Sequence, residues 1–411
     1  ISMRISMASS LLRAFALVVC PTTLVATAAA QAPAPIVLHA ARLLEVDTGK
    51  ILSPGEILVE GERISAIGTS VPHAANAKVI DLGDTTLLPG LIDAHVHLFL
   101  HPGAEDLQTV EESVPWRVIL AEQAAKDDVM AGYTAERDMG TEGAGSADTA
   151  IRNAINAGII PGPRMRLSGN AIDILGGHED ANKYNPAQHV LSNADYANDA
   201  EQIIEVMREQ HKEGSDFAKI YETGKDKMVP DGHGGLTLKA PYQYTAEQLA
   251  AAVKAAKRLG TTVGVHDMGE PGTLYAAEAG VASIDHATQL SDETMSLMKE
   301  KGIFAVPTFT IFEYFARHRA SREQAAAEAE LLNYKIAEFK KQLTYGIPFA
   351  VGSDVGPFPH GAQARELTLM VQYGMKPLAA LQADMINGAK LLGWANDSGQ
   401  LKPGFYACVV A

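Results

Sequence analysis

Residues 35–68, "PIVLHAARLLEVDTGKILSPGEILVEGERISAIG", set short apolar runs between pairs such as Thr48-Gly49, Pro54-Gly55 and Glu60-Gly61. Runs of this length between turn-forming pairs predict short strands, and residues 31–88 read as the first part of a small β domain. From Pro89 the rhythm lengthens to an apolar run followed by a stretch with helical spacing, repeated. The apolar runs predict strands at 90–98, 133–140, 163–169, 217–224, 261–269, 281–289, 303–310 and 348–356. Between them lie amphipathic stretches. In "TAEQLAAAVKAAKRLG" (245–260), Thr245 and Gln248 form a capping signal and Gly260 a stop. "SDETMSLMKEKG" (291–302) is another. Strands alternating with helices predict an α/β fold, a (β/α)8 TIM-like barrel over residues 89–388. A doubly wound sheet has the same strand count, and spacing leaves it open. The charged segment 313–345 predicts a solvated helix face that could also serve as a lid.

Composition narrows the class. With 47% hydrophobic and 20% charged residues, the 411-residue chain is globular rather than disordered. Its net charge of −15 argues against nucleic acid and anionic membrane surfaces as partners. Residues 1–30 carry Arg4 and Arg13 around "LLRAFALVVC", then Ala28-Ala29-Ala30, the pattern of a cleavable signal peptide. The apolar run falls short of the ~20 residues a membrane span needs. Export to the periplasm or exterior is the expectation. Of the two cysteines, only Cys408 lies beyond that segment, so no disulfide within the mature chain is expected.

The chemistry gathers at the C-terminal ends of the expected strands, where barrel sites sit. There the chain places His95 and His97, then Arg137 and Asp138, Lys219, His266, His286 and Asp354. In a strand, residues two apart share a face, so His95 and His97 point the same way. Each residue alone has a plain reading: a hydrogen-bonded histidine, a salt-bridged lysine, an aspartate capping a turn. Together on one rim, such groups would cost several kcal/mol to bury without a shared cation.

"PGLIDAHVHL", "DFAKIY", His266 and His286 twenty residues apart, and "VGSDVG" followed by "PHG" resemble the amidohydrolase superfamily. They are most similar to its imidazolonepropionase-related branch, which includes Xaa-Pro and Xaa-Arg dipeptidases and ochratoxin amidases. The resemblance spans residues 36–411. It implies a barrel carrying a small β-sandwich built from both chain ends, with 389–411 the C-terminal part, here cut short. It also implies two divalent ions, zinc first among them. His95, His97 and Asp354 would hold one ion and His266 and His286 the other, with a carboxylated Lys219 between. Hydroxide shared by the ions would attack an amide carbonyl while Asp354 carries the proton to the leaving nitrogen. The substrate would be a dipeptide or another small amide such as an N-acyl amino acid. Alternatives are a cyclic-amide hydrolase and an inactive metal-binding fragment. Homo-oligomers are common in this branch.

Residues expected around the substrate are less marked. Tyr221 shares the face of Lys219 and, with His178 in "GGHED", could hydrogen-bond the oxyanion. His360 in "PHG" and Arg137 could contact substrate. For each, ordinary packing is the competing reading, and for Arg137 it is pairing with an acid of the fold.

Overall fold

The computed structural model describes residues 34–411 apart from 104, 181–183, 186, 189 and 320. The expected signal peptide, residues 1–30, lies outside the described residues.

The alternating stretch forms β1 Ile36–Ala40, β2 Arg42–Glu45, β3 Lys50–Leu52, β4 Gly55–Glu60, β5 Arg63–Gly68, β6 Lys78–Asp81 and β7 Thr86–Pro89. The lengthened rhythm then gives β8 Leu91–Val96, β9 Tyr133–Asp138, β10 Arg164–Leu167, β11 Ala171–Asp173, β12 Ala194–Tyr196 and β13 Ala218–Tyr221. There follow β14 Lys227–Pro230, β15 Leu236–Lys239, β16 Val263–Asp267, β17 Ser283–His286, β18 Phe304–Val306 and β19 Val409–Val410.

Two four-stranded sheets, in the orders β5-β4-β1-β6 and β19-β7-β2-β3, hold the ends of the described chain together. Ala40, Ile57 and Ile64 from the first pack with Leu43 and Leu87 from the second. The C-terminal segment takes part: Val409 pairs with Pro89 and Val410 with Leu88, and the Ala407 N–H donates to the Glu62 carbonyl.

The remaining strands are mostly parallel. One sheet runs β10-β9-β8 and another β12-β11-β13-β16-β17-β18, with every neighbouring pair parallel. The expected third strand, 163–169, forms as β10, and after Gly169, whose φ of +72° lies in the left-handed region, the chain resumes as β11. β10 pairs with β9, and β11 with β12 and β13. The expected eighth strand forms only bridges, Phe349 to Ala305 and Val355 to Val96. Hydrogen bonds from Ala305 N to Pro348 O (2.9 Å) and from Ala94 N to Val351 O (2.8 Å) connect this segment to β18 and β8. It is irregular for a steric reason. A Cβ at Gly352 would lie 2.4 Å from Val306, and Asp354 turns into the left-handed region at φ 61°.

Strand alternation decides what faces where. Ile220, Val265 and Ile284 turn outward into a core with Leu249, Val253, Met295 and Phe339 of the surrounding helices. Burying each such side chain stabilises by about 1.5–3 kcal/mol. This fixes the strand register and turns Lys219, Tyr221 and His266 to the other face. The helix Ala246–Leu259 has the expected capping box from Thr245 and Gln248 and ends on left-handed Gly260. The charged segment forms two helices, Phe309–His318 and Arg322–Tyr345. The second departs from a solvated face: it buries Leu331, Lys335, Phe339 and Gln342. Among the described residues, no helix is long and apolar enough to cross a membrane.

Candidate metal centre

One cavity of about 480 Å³ opens at the C-terminal ends of β8, β13, β16 and β17. His95, His97, Lys219, His266, His286 and Asp354, expected from six separate positions in sequence, all line it.

The histidines of β8 are oriented from behind. His95 Nδ1 lies 3.0 Å from Asp285 Oδ1 and so carries the proton. His97 Nδ1 lies 3.1 Å from the Gly140 carbonyl and 3.0 Å from Glu142 Oε1. Nitrogens that donate at Nδ1 present lone pairs at Nε2 in the neutral ring. Yet the two Nε2 atoms are 3.3 Å apart, and Asp354 Oδ1 lies 3.4 Å from each. Three electron-rich atoms converge on one point, an arrangement that a metal ion or a proton would offset. His95, His286 and Asp354 also offer ligand atoms all within 4.8 Å of one another.

The other half of the centre is marked by buried polar atoms with no hydrogen-bond partner, Lys219 Nζ and His266 Nε2. Burial pushes the Lys219 ammonium below its ordinary value, against the pull of Asp285, Asp354 and Glu142. Burial, with neighbouring His178 and His286, holds His266 well below the usual imidazole range. His286 Nδ1 meets Thr308 Oγ1 at 2.8 Å, and its ring lies 4.3 Å from that of His266. These features fit a pair of cations: unpartnered donor atoms beside an imidazole–carboxylate set of the kind zinc prefers.

Charge around His97 favours a proton there. Burial opposes its protonation, but the hydrogen bond and charge of Glu142 outweigh this and raise it to about 9. Burial raises Glu142, and His97 reverses that to a net lowering. Asp354 is raised above the usual carboxylate range by burial, opposed by His97 and Lys219.

Tyr221 and His178 also line the cavity, their rings stacked at 5.0 Å and 9°. Burial, reinforced by Lys225 and Lys219, lowers His178 to about 4, so it is neutral at pH 7. Met228, Met268, Ile311, Phe312, Phe315 and Leu331 also line the cavity and belong to one apolar cluster.

Two expected residues are elsewhere. Arg137 is buried inside the strands, where Nη2 donates to Asp285 at 2.7 Å, Nη1 to Ser283 at 2.9 Å and Nε to the Ala94 carbonyl. Its fork is spent, so it supports His95 through Asp285 instead of meeting substrate. His360 is not among the residues lining the cavity; it binds Asp128 at 2.7 Å behind the strands.

Asp285, Thr308 and Glu142 escaped sequence reading. Asp285 precedes His286, and strand alternation sets neighbours on opposite faces. The left-handed φ values of His286 (68°) and Ala287 (45°) break that alternation. Lys335 was also missed. From the long helix it donates to the His286 carbonyl and, at 3.0 Å, to Thr288 Oγ1.

Comparison with known proteins identifies the family. The sequence profile of the amidohydrolase family matches residues 86–411. An ochratoxinase of Aspergillus niger is 28% identical over 350 residues, covering 79% of this chain and 69% of that protein. Imidazolonepropionase of Geobacillus kaustophilus is 24% identical over 393 residues, 88% of this chain and 84% of that one. The crystal structure of a Xaa-Pro dipeptidase with methionine bound in its active site superposes with a TM-score of 0.80 at 30% identity. That match covers 91% of this chain and 92% of the dipeptidase. Such neighbours share a TIM-like α/β architecture and hydrolytic chemistry, and the chain belongs to the amidohydrolase family of amide-bond hydrolases.

Proposed function

We propose that the protein is a binuclear metal-dependent hydrolase that cleaves dipeptides or N-acyl amino acids. The convergence of His95 Nε2, His97 Nε2 and Asp354 Oδ1 within 3.4 Å of one another carries this reading. His95, His97 and Asp354 would hold one ion and His266 and His286 the second, with zinc the fitting choice. Lys219 would lie between, its buried amine suited to carboxylation because burial favours the neutral form.

Two such ions supply a polarised carbonyl and a water acidic enough to be deprotonated near pH 7. The chain's own residues do the rest. Asp354, raised by burial, is suited to accept a proton and deliver it to the leaving nitrogen. Tyr221 and His178, which line the cavity, would donate to the carbonyl oxygen as charge develops. The wall of Met228, Met268, Ile311, Phe312 and Phe315 excludes water and receives an apolar side chain.

The same reading takes the eight parallel segments as a closed barrel and the two four-stranded sheets as a sandwich. Hydrogen bonds from 348–355 to both β18 and β8 support closure, and the shared apolar core supports the sandwich. It also places the mature enzyme outside the cytoplasm, on the pattern of residues 1–30.

Elemental analysis of the purified protein, with amine release from Xaa-Pro, Xaa-Arg and N-acyl amino-acid panels, tests the proposal. About two metal ions per chain with turnover is the expected result. A well-folded protein that binds no divalent metal would sink it.

A further inference from the structure

We infer that Glu142 is a specificity-determining residue that binds the free α-ammonium group on the acyl side of the substrate. This rests on the amide-hydrolase reading and narrows its substrates from N-acyl amino acids to dipeptides with an unblocked N-terminus.

Glu142 is a carboxylate on the wall of the catalytic cavity, its side chain only 6% exposed. It sits in "MGTEGAG", the loop after β9, with a left-handed φ of 49°. A residue other than glycine is rare in that region and stays there only where its surroundings fix it. They do so here. Buried Arg117 donates Nη1 to the Glu142 carbonyl at 2.7 Å and Nη2 to the Thr141 carbonyl at 2.9 Å. Thr109 Oγ1 donates to the same Glu142 carbonyl at 3.1 Å. The backbone is clamped from outside while the side chain lines the cavity.

The flanking glycines make room for this arrangement. A Cβ on Gly140 would lie 3.1 Å from Glu142 Oε1, and one on Gly143 would lie 2.8 Å from Ser192 O. Thr109 also bonds Asn193, whose Nδ2 donates to Glu179 Oε2 at 3.2 Å. Glu142 and Glu179 therefore stand on one braced wall, both lining the cavity. Arg117 spends its donors on the carbonyls of Phe99, Thr141 and Glu142, so its charge lies near the Glu142 carboxylate while its hydrogen bonds go to the backbone.

Reach selects the group that this carboxylate reads. Glu142 Oε1 is 3.0 Å from Nδ1 of His97, whose Nε2 points to the convergence with His95 and Asp354. The carboxylate is thus one imidazole ring and one hydrogen bond from the reaction centre. An α-ammonium nitrogen is two bonds, about 2.5 Å, from the reacting carbonyl carbon. An acylated nitrogen carries no charge, and would leave a buried carboxylate facing a neutral group.

The test compares dipeptides with their N-acetylated counterparts, using wild-type and Glu142→Gln enzyme loaded with metal. We expect wild type to favour the free amine at least tenfold in kcat/KM. The substitution should cut that ratio at least tenfold, and Glu142→Asp should restore part of it. If Glu142→Gln lowers both substrates equally, so that the ratio holds, Glu142 only orients His97 and the inference falls. Inhibition of wild type by free and N-acetyl amino acids gives the same comparison without a variant; equal potency overturns the inference. A metal-loaded wild type that cleaves cyclic amides but neither member of any pair refutes the proposed function itself.

Discussion

Replacing Asp285 by Asn would test the support beneath His95. Asp285 is fully buried; Oδ1 accepts from His95 Nδ1 at 3.0 Å and Arg137 Nη2 at 2.7 Å, and Oδ2 from Ser283 Oγ at 2.8 Å. Asparagine keeps this shape. Its oxygen can still receive both donors, and its amide can face the Ser283 hydroxyl, which is able to accept. Only the charge is lost. Arg137 then stays buried with no anion beside it, and removing one partner of a buried ion pair costs about 3–5 kcal/mol. The His95 ring also loses a charged acceptor, and weakening such a supporting bond lowers metal affinity by about 10–100-fold. Urea unfolding of the metal-free protein would read the first effect, and competition with a chelator the second. A loss below about 1 kcal/mol, the range of an exposed ion pair, with unchanged metal affinity would refute the reasoning.

Other perturbations reach different parts of the centre. Lys219→Ala should lose metal and activity together; a variant with two ions and normal turnover would remove Lys219 from the site. Asp354→Asn should cut kcat by about 10²-fold or more if Asp354 carries the proton, measured at matched metal content. Burial, then the charge of Asp267, pushes Glu222 up to about 11, so the folded chain holds a proton that the unfolded chain releases in the ordinary carboxylate range. Its contribution to stability is present in full below that range and declines as pH rises towards 11. Glu222→Gln, which mimics the protonated acid, should flatten the fall in unfolding free energy between pH 7 and 9; an unchanged slope would contradict this.

Much of this was legible in the sequence because alternation and spacing are local properties. His95 and His97 share a face by parity, Lys219 and Tyr221 likewise, and the capping box at Thr245 is written in four residues. The signals failed where the backbone leaves its regular path. Beyond left-handed Gly169 a further short strand, β11, went unread, and the segment carrying Asp354 is bent by close packing at Gly352. Asp285 was hidden because His286 turns left-handed and lets consecutive residues face the interior. Arg137 and His360 have the chemistry of substrate ligands, but their partners, Asp285 and Asp128, are distant in sequence. The charged helix 322–345 looked solvated because its few buried residues, Lys335 among them, are polar as often as apolar.

The bridge between β8 and the segment at 351–355 has a consequence for how the molecule is made. Val96 and its partner Val355 are 259 positions apart. At about 5–20 residues per second, synthesis of the intervening chain takes roughly 10–50 s. Throughout that interval the edge of β8 that will receive Val351 and Val355 has no mate. An apolar strand with open N–H and C=O groups is a template for pairing with other chains. The nascent polypeptide therefore carries an unpaired strand edge from an early stage and covers it only once residues 351–355 have been made. Yield from overexpression should depend on holding that edge apart from its neighbours until residues 351–355 arrive.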